Sequence, residues 1–167
     1  GTQYAQLKGW SDLFSGQGLH DNIIVWGYSL AVYNYFIPLY NFGTYSEHYR
    51  FYEECGVHYI DDQAYSSSGV PCFEAMQIYI QSKLMYDTSL NYNALAYDFI
   101  DHYYGEAAGT FKEYFDFFRA YYEYLAETKQ ITGSIWQEMG KEEYWPTEVV
   151  EKLFDYLDKC LIDIEPL

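Results

Sequence analysis

Two adjacent acids and an amide, Asp61, Asp62 and Gln63, follow a short apolar run in the stretch GVHYIDDQAYSSSG. Carboxylates provide the acid, base or nucleophile of glycoside hydrolysis, and an amide can orient a hydroxyl group. Adjacent side chains of an extended chain point to opposite faces, so at most one of the two acids enters a given pocket. Asp62 is the better candidate, because it shares its face with Ile60. The alternative is that both acids cap the loop or face water.

Tyrosine is unusually frequent, since the chain has 22 Tyr, 11 Phe and 4 Trp. A Tyr ring packs as an apolar group while its hydroxyl needs a hydrogen-bond partner, so such a chain tends to form half-solvated clefts as well as a core. Sugars suit these surfaces, because a ring face stacks on their C–H groups while hydroxyls and carboxylates bind their O–H groups. Three aromatic residues near the predicted strand ends are candidates for this role: Trp26, Tyr28 and Tyr65. The alternative is that they belong to the core.

The charge of −16, from 25 acids against 9 Lys and Arg, argues against nucleic acid or an anionic membrane as a partner. Neutral ligands such as carbohydrate remain. The three Cys and four His show no CxxC or HExxH spacing, so the sequence predicts no metal site and no cofactor. The uncharged segment from Ile23 to Tyr40 is rich in Tyr and contains Asn34 and Pro38, unlike a membrane span, so no membrane insertion is expected.

The first part of the chain follows a β/α rhythm. Asn22–Trp26 (NIIVW) predicts a strand buried on both faces, and Val57–Ile60 predicts a second short buried strand. Between them, Thr44 begins a capping-box pattern and Gly56 stands where a helix C′ glycine would, so a helix is expected from about Tyr45 to Cys55. This order of strand, helix and strand is typical of a parallel sheet.

Residues 71–167 are predicted to form a helical scaffold. Apolar residues recur every three or four positions in four segments, which is typical of helices that pack on one face. The expected core-facing residues are Phe73, Met76, Ile80 and Leu84; Leu95, Phe99, His102 and Tyr103; Phe111, Tyr114, Phe115, Phe118, Tyr122 and Leu125; and Val150, Leu153, Phe154, Leu157 and Leu161. The start of the chain, through LFSGQGLHDN, shows no clear period, and no element is assigned to it.

The predicted fold class is α/β and helix-rich. Two strands cannot close a (β/α)8 barrel, which takes eight strands and about 250 residues. The chain is therefore expected to be the C-terminal portion of a (β/α)8-type barrel, with two short parallel strands followed by a helical bundle. A mainly α domain with a small sheet is the alternative. Residues 1–167 then form a single domain or a fragment, with a barrel-end segment at 1–70 and a helical segment at 71–167.

Three runs of the sequence resemble the closing part of a bacterial domain of unknown function, number four-eight-three-eight. These runs are VWGYSLAVYNYFIPLYNFGTYSEHYRFYEECGV, DDQAYSSSG and FEAMQIYIQSKLMYDTSLNYNALAYDFIDHYYGEAAGTFKEYFDFF. The resemblance covers about Trp10 to Leu125, and its most specific parts are YYGEAAGTFKEYFDFFR and SKLMYD. It implies a (β/α)8 barrel related to hexosaminidase and α-glucuronidase barrels, a role in glycan processing, and a periplasmic or extracellular location.

The resemblance also points to residues at the strand ends, where (β/α)8 barrels place their ligand sites. The family's Trp-Asp-Tyr after the first of these strands stands here as Trp26-Gly27-Tyr28, without the acid. Its Glu-Gln-Gly after the second strand stands as Asp62-Gln63-Ala64. The implied sugar subsite has Asp62 as its candidate catalytic carboxylate and, as binding residues, Trp26, Tyr28, Asp61, Gln63 and Tyr65.

Two functions are expected from these observations. The first is the C-terminal part of a glycoside-hydrolase-like protein that acts on or binds complex glycans. Since hydrolysis needs two carboxylates and the second would come from an earlier strand, the isolated chain is then expected to be inactive. The second is a non-catalytic glycan-binding or structural helical module, which the missing acid at Gly27 favours. A barrel fragment would expose apolar faces and form homo-oligomers, whereas a module would be monomeric.

Overall fold

The computed structural model describes residues 2–19, 22–28, 37, 41, 43–63, 73–132, 134 and 136–164. The helices and strands of this part are, in chain order, α1 (Thr2–Ser15), β1 (Ile23–Tyr28), α2 (Tyr45–Glu54), β2 (Val57–Gln63), α3 (Glu74–Tyr86), α4 (Tyr92–Tyr103), α5 (Ala108–Lys129) and α6 (Thr147–Asp163). The two strands form one parallel sheet. The prediction of a helix-rich α/β fold is therefore confirmed. None of the described helices combines the length and the apolar character that a membrane crossing needs.

The parallel sheet reaches further than the sequence predicts. β2 continues to Gln63 rather than ending at Ile60, so Asp61 and Asp62 lie inside the strand and not in a loop. The register places Gly27 of β1 opposite Asp62 of β2. Asp61 and Asp62 therefore point to opposite faces of the sheet, as successive residues of a strand do.

The predictions that the first strand is buried on both faces and that the second is a buried strand are wrong. Ile24 and Trp26 of β1 are 68% and 67% exposed, and Tyr59 of β2 is exposed as well. Their neighbours Val25 and Ile60 are partly buried. The physical reason is that the described helices cover only one face of the sheet, so every second side chain faces outward.

Helix α2 lies where its sequence signals predict, although one signal works differently. Gly56 follows the helix with φ of +70°, a left-handed conformation that a Cβ would strain. The capping box does not form, because the hydroxyl of Thr44 donates to the carbonyl oxygen of Asn41 at 3.0 Å instead of capping the helix. The predicted glycine at the end of α2 is therefore confirmed, whereas the predicted capping box at its start is absent.

An aromatic core joins α3 to α5, as predicted. The ring of Phe73 lies 5.6 Å from the ring of Phe115 and 5.7 Å from that of Phe118, between centroids. Phe73 has φ of 62°, which is costly for a residue other than glycine and is held here by these ring contacts. The predicted core residues of the two helices are all buried: Phe73, Met76, Ile80, Leu84, Phe111, Tyr114, Phe115, Phe118, Tyr122 and Leu125.

The predicted core face of α4 is partly wrong. Its buried residues are Tyr92, Ala96 and Ile100, whereas His102 and Tyr103 are exposed. Leu95 and Phe99 are only partly buried. α4 contacts both α3 and α5, so its buried face is centred between them, on a row of residues spaced by four.

Both ends of the chain differ from the sequence-based expectation. The N-terminal region forms helix α1, which the sequence did not reveal because its residues are mostly exposed. α1 packs through Tyr4, whose ring lies 4.6 Å from that of Phe51 on α2. At the other end, none of the residues of α6 is buried, and Phe154 and Leu161 are largely exposed, so their assignment to the core is wrong. α5 is the helix against which α6 packs, and its contact covers a single side of α6.

We expect Ile80→Ala to lower the free energy of unfolding by about 2–5 kcal/mol, because Ile80 is 0% exposed in the aromatic core. Ile78→Ala on the same helix is the matched control, since Ile78 is 43% exposed, and it should cost less than about 1 kcal/mol. Urea unfolding of the two variants measures the difference. Equal losses for both would contradict the packing described for α3.

Candidate functional site

A pocket of about 720 Å³ opens beside the C-terminal halves of the two strands. Its walls come from α1, β1, α2, the end of β2 and the segment at 132–136. Eight of its described lining residues are Tyr, Phe or Trp. The full set is Gln3, Tyr4, Leu7, Val25, Trp26, Gly27, Tyr28, Asn41, Tyr45, His48, Tyr49, Phe51, Tyr52, Asp62, Thr132, Ser134 and Trp136.

Asp62 is the one acid among these described lining residues. Its Oδ2 accepts a hydrogen bond of 2.9 Å from Nε2 of Gln81 on α3, so the carboxylate lies on the sheet face that the helices cover. A β-carbon added to Gly27 would lie 3.3 Å from Cγ of Asp62 and 3.4 Å from both carboxylate oxygens. Gly27 therefore leaves space beside the carboxylate, and an acid at position 27 would set two carboxylates side by side.

The predicted site residues divide between the two faces of the sheet. Asp61 and Gln63 are exposed and do not line the pocket; they lie opposite Trp26 and Tyr28 in the register. Trp26 and Tyr28 share that exposed face, and both also line the edge of the pocket. Their rings stack at 6.2 Å between centroids with 15° between the planes. The structure thus brings Trp26 and Tyr28 to the same pocket as Asp62.

Tyr65, also predicted as a binding residue, lies outside the described residues. The roles assigned to the other predicted site residues stay predictions, since their positions show where they are and not what they bind.

Helix α2 contributes five side chains to the pocket: Tyr45, His48, Tyr49, Phe51 and Tyr52. Burial lowers the pKa of His48, against the opposing charges of Glu47 and Asp62, so the imidazole is neutral at neutral pH. Burial also raises the pKa of Tyr49 and of Tyr52, and the nearby charge of Asp62 raises both further. Both tyrosine hydroxyls therefore keep their protons and are available as donors.

Two buried polar atoms of lining residues have no hydrogen-bond partner within the described part of the chain. They are the hydroxyl of Tyr49 and Oδ1 of Asn41. The amide of Asn41 is held in place, because its Nδ2 donates to the hydroxyl of Tyr45 at 2.8 Å. A buried polar atom without a partner costs free energy, so such atoms mark places where water or a ligand completes the hydrogen bonding. The wall thus offers a donor and an acceptor in the pocket that Asp62 also lines.

A polar row on α3 continues from Asp62 away from the pocket. Glu74, Gln77 and Gln81 are all buried at helical spacing, and Gln81 is the residue bound to Asp62. Oε1 of Glu74 and Nε2 of Gln77 have no partner among the described side chains and backbone, and burial raises the pKa of Glu74. Neither this row nor the α2 residues of the pocket were predicted from the sequence. The available signal was polar residues recurring at steps of three and four on otherwise apolar helices.

The described lining of the pocket is aromatic and polar and carries little charge. No Lys or Arg belongs to the described lining, and Asp62 supplies the only carboxylate of that set. Aromatic faces can stack on a ligand, while hydroxyls, an amide and a carboxylate can form hydrogen bonds with it. Canonical glycoside hydrolysis needs a second carboxylate, which the described lining does not contain. Within the described residues, no group of three or more His, Cys, Asp and Glu side chains is placed to hold a metal ion.

Comparison with known proteins identifies a family. Residues 2–116 match the profile of a family described as a domain of unknown function (DUF4838). No curated protein and no solved structure matches the chain. The matched range contains both strands and α1 to α4, and therefore the whole described pocket wall apart from the segment at 132–136.

The neutral state of His48 predicts a pH dependence of stability. Because folding lowers the pKa of His48 below its ordinary value of 6.5, the unfolded chain binds a proton that the folded chain does not, and stability falls as pH drops below about 6.5. The His48→Gln variant should therefore lose less stability than the wild-type protein between pH 7 and pH 5. The measurement is urea unfolding at a series of pH values.

His102→Gln is the control for this experiment, because His102 is exposed on α4. It should keep the wild-type dependence on pH. If His48→Gln and the wild-type protein lose stability in parallel as the pH falls, His48 is not buried as described.

Proposed function

Because the chain belongs to the DUF4838 family of domains of unknown function, whose name assigns no activity, we propose a function from the pocket itself: it binds neutral carbohydrate chains. The protein is, on this proposal, the C-terminal part of a glycoside-hydrolase-like protein that binds complex glycans. The observation that carries the proposal is an aromatic pocket lined by Asp62 and by two buried polar atoms that have no hydrogen-bond partner among the described residues.

The aromatic lining supports a sugar rather than a more apolar ligand. Tyr4, Tyr28 and Tyr52 combine a ring face with a hydroxyl, and Trp26 and Trp136 add larger faces. Ring faces stack on the C–H groups of a pyranose, and the hydroxyls bind its O–H groups. A purely apolar ligand would leave these hydroxyls without partners, which is costly.

The polar atoms support the same ligand class. The hydroxyl of Tyr49 can donate, Oδ1 of Asn41 can accept, and the carboxylate of Asp62 accepts with the greater strength of a charged group. A sugar hydroxyl both donates and accepts, so it can bond to each of them. The lack of Lys and Arg among the described lining residues disfavours acidic sugars.

Binding is favoured over catalysis by the chain as it stands. Asp62 is the single described carboxylate of the pocket, and Gly27 stands where a neighbouring acid would lie beside it. Hydrolysis by a longer protein requires a second carboxylate from another part of that protein, and Asp62 is then the partner of that group. Without a second carboxylate the protein is a glycan-binding module.

The open face of the sheet supports a place in a larger sheet. Ile24, Trp26 and Tyr59 are large and exposed on it, and parallel sheets are normally covered on both faces. Further strands of a (β/α)8-type barrel would enclose this face, with the helices on the outside. A protein of this kind acts where complex glycans occur, in the periplasm or outside the cell.

Asp62→Asn should weaken binding of neutral oligosaccharides about tenfold, because a hydrogen bond to a charged acceptor becomes one to a neutral amide. The amide oxygen of the substituted side chain can still accept from Gln81, so the fold should remain. Isothermal titration calorimetry with cellotetraose, xylotetraose and mannotetraose measures the affinity.

Asp61→Asn is the matched control, since Asp61 has the same chemistry on the opposite face of the sheet. It should leave the affinity within about twofold of wild type. Absence of binding to every oligosaccharide would refute the proposed function. Equal losses for the two variants would show that the ligand does not enter the pocket at Asp62.

Tyr49→Phe should lower the affinity about fivefold without lowering stability, because its hydroxyl has no partner among the residues that the structure describes. Tyr92→Phe is the control, since the hydroxyl of Tyr92 is likewise buried without a partner among those residues, but Tyr92 does not line the pocket. Affinity is measured as for Asp62, and stability by thermal unfolding. A loss of stability with unchanged affinity for Tyr49→Phe would mean that the hydroxyl serves the fold.

A further inference from the structure

Helix α6 presents an apolar face that the rest of the described chain covers only in part. Phe154 and Leu161 of this helix, and Ile164 directly after it, are 61%, 58% and 53% exposed. Val150 and Leu157 belong to the same row and are partly buried, and Leu157 also contacts the core. We name these five residues the outer face. Large apolar side chains clustered on one exposed surface mark an interaction site more often than scattered ones do.

The outer face has the geometry of a helix-pairing seam. Its residues are separated by four, three, four and three positions, which is the heptad spacing that keeps one helix in contact with another along its length. The row extends over 15 residues, from Val150 to Ile164, and its 14 steps span about 21 Å at about 1.5 Å per residue. Packing against a second helix requires a row of this length, whereas binding of a small ligand does not.

α6 is held rigidly from its other side, so the outer face is presented in a fixed direction. Leu153, Tyr156, Leu157 and Cys160 pack against the core. Near its start, the indole nitrogen of Trp145 donates to the carbonyl oxygen of Met139 at 2.6 Å. Near its end, the hydroxyl of Thr110 on α5 donates to Asp163 at 2.5 Å. These contacts leave Phe154 and Leu161 of the outer face exposed.

We propose that the outer face binds an amphipathic helix of a partner protein whose seam is flanked by Lys and Arg. Acidic side chains along the seam are the reason for proposing a basic partner. Glu151 and Asp158 lie directly beside it, at successive heptad positions, and Glu148 and Asp155 follow on the same flank. The basic side chains of α6 are directed elsewhere: Lys152 lies over the ring of Phe117 and Lys159 over that of Tyr156.

A second copy of this chain is a poorer occupant. If two α6 helices paired in antiparallel fashion, Glu151 and Asp158 of each would face the same acids of the other, and like charges at these positions are repulsive. If the two α6 helices paired in parallel, Glu151 and Asp158 of one copy would face Leu153 and Cys160 of the other. Those two residues already pack against the core of their own chain. Each chain also carries a net charge of −16, which opposes self-association.

The test uses two synthetic probes of three heptads with Leu at both seam positions. One peptide has Lys at every flanking position, and its matched control has Glu there. We expect the full chain to bind the Lys peptide at least about tenfold more tightly than the Glu peptide, and 1 M salt to reduce this preference by screening. Isothermal titration calorimetry measures both affinities, and sedimentation velocity reports the mass of the chain alone.

Three double variants locate the interaction. Phe154→Ser with Leu161→Ser should weaken binding of the Lys peptide at least about tenfold while the protein stays folded, because both side chains are mostly exposed. Met85→Ser with Tyr86→Ser, at exposed positions of α3, should leave it unchanged. Glu151→Gln with Asp158→Asn should abolish the preference for Lys over Glu without abolishing binding.

The proposal is overturned by any of three results. Equal binding of the two peptides by the wild-type chain would refute the charge argument. Unchanged binding by the Phe154/Leu161 variant, with circular dichroism like wild type, would place the peptide elsewhere. A wild-type dimer that the same variant converts to a monomer would show that a second copy occupies the outer face. None of these outcomes depends on whether the pocket binds carbohydrate.

Discussion

The parallel pairing of β1 with β2 is the constraint on which the candidate site depends. It sets Gly27 opposite Asp62 and places the C-terminal halves of both strands at the same pocket. Alternation along β2 then sends Asp61 to the exposed face. A shift of one residue would exchange the two acids, because the side-chain period of a strand is two. The chemistry available to the pocket is thus decided by register before any single side chain is considered.

The aromatic core holds the helices that complete this site. Phe73 enters the core in a left-handed conformation, and the rings around it fix the start of α3. From that start, helical geometry carries Gln81 to the carboxylate of Asp62. The same core allows α3 to tolerate an unpartnered Glu74, because burial of many rings outweighs the cost of a few polar atoms. The residues that stabilise the fold therefore lie mainly in the aromatic core, and the residues proposed to bind a ligand lie in the pocket.

The distribution of charge separates the two proposed interactions. The described pocket wall has one carboxylate and no Lys or Arg, which suits a neutral ligand with many hydroxyls. The outer face of α6 is apolar but flanked by acids, which suits a basic helix. A strongly acidic chain can serve both, since its charge repels anions from the pocket and attracts cationic partners to the surface. The two surfaces belong to different elements, so each can be altered alone.

The sequence by itself determined the features that local physics controls. Gly56 ends α2, and the apolar rows around Ile80 and Phe115 are core, because helix stops and helical periodicity act within a few residues. The family, the helix-rich class and the parallel strands could also be predicted. Periodicity shows which residues share a face, but not whether another element covers it. Only the tertiary structure therefore decided that Trp26 and Phe154 are exposed, and which side chains from distant elements meet Asp62 in the pocket.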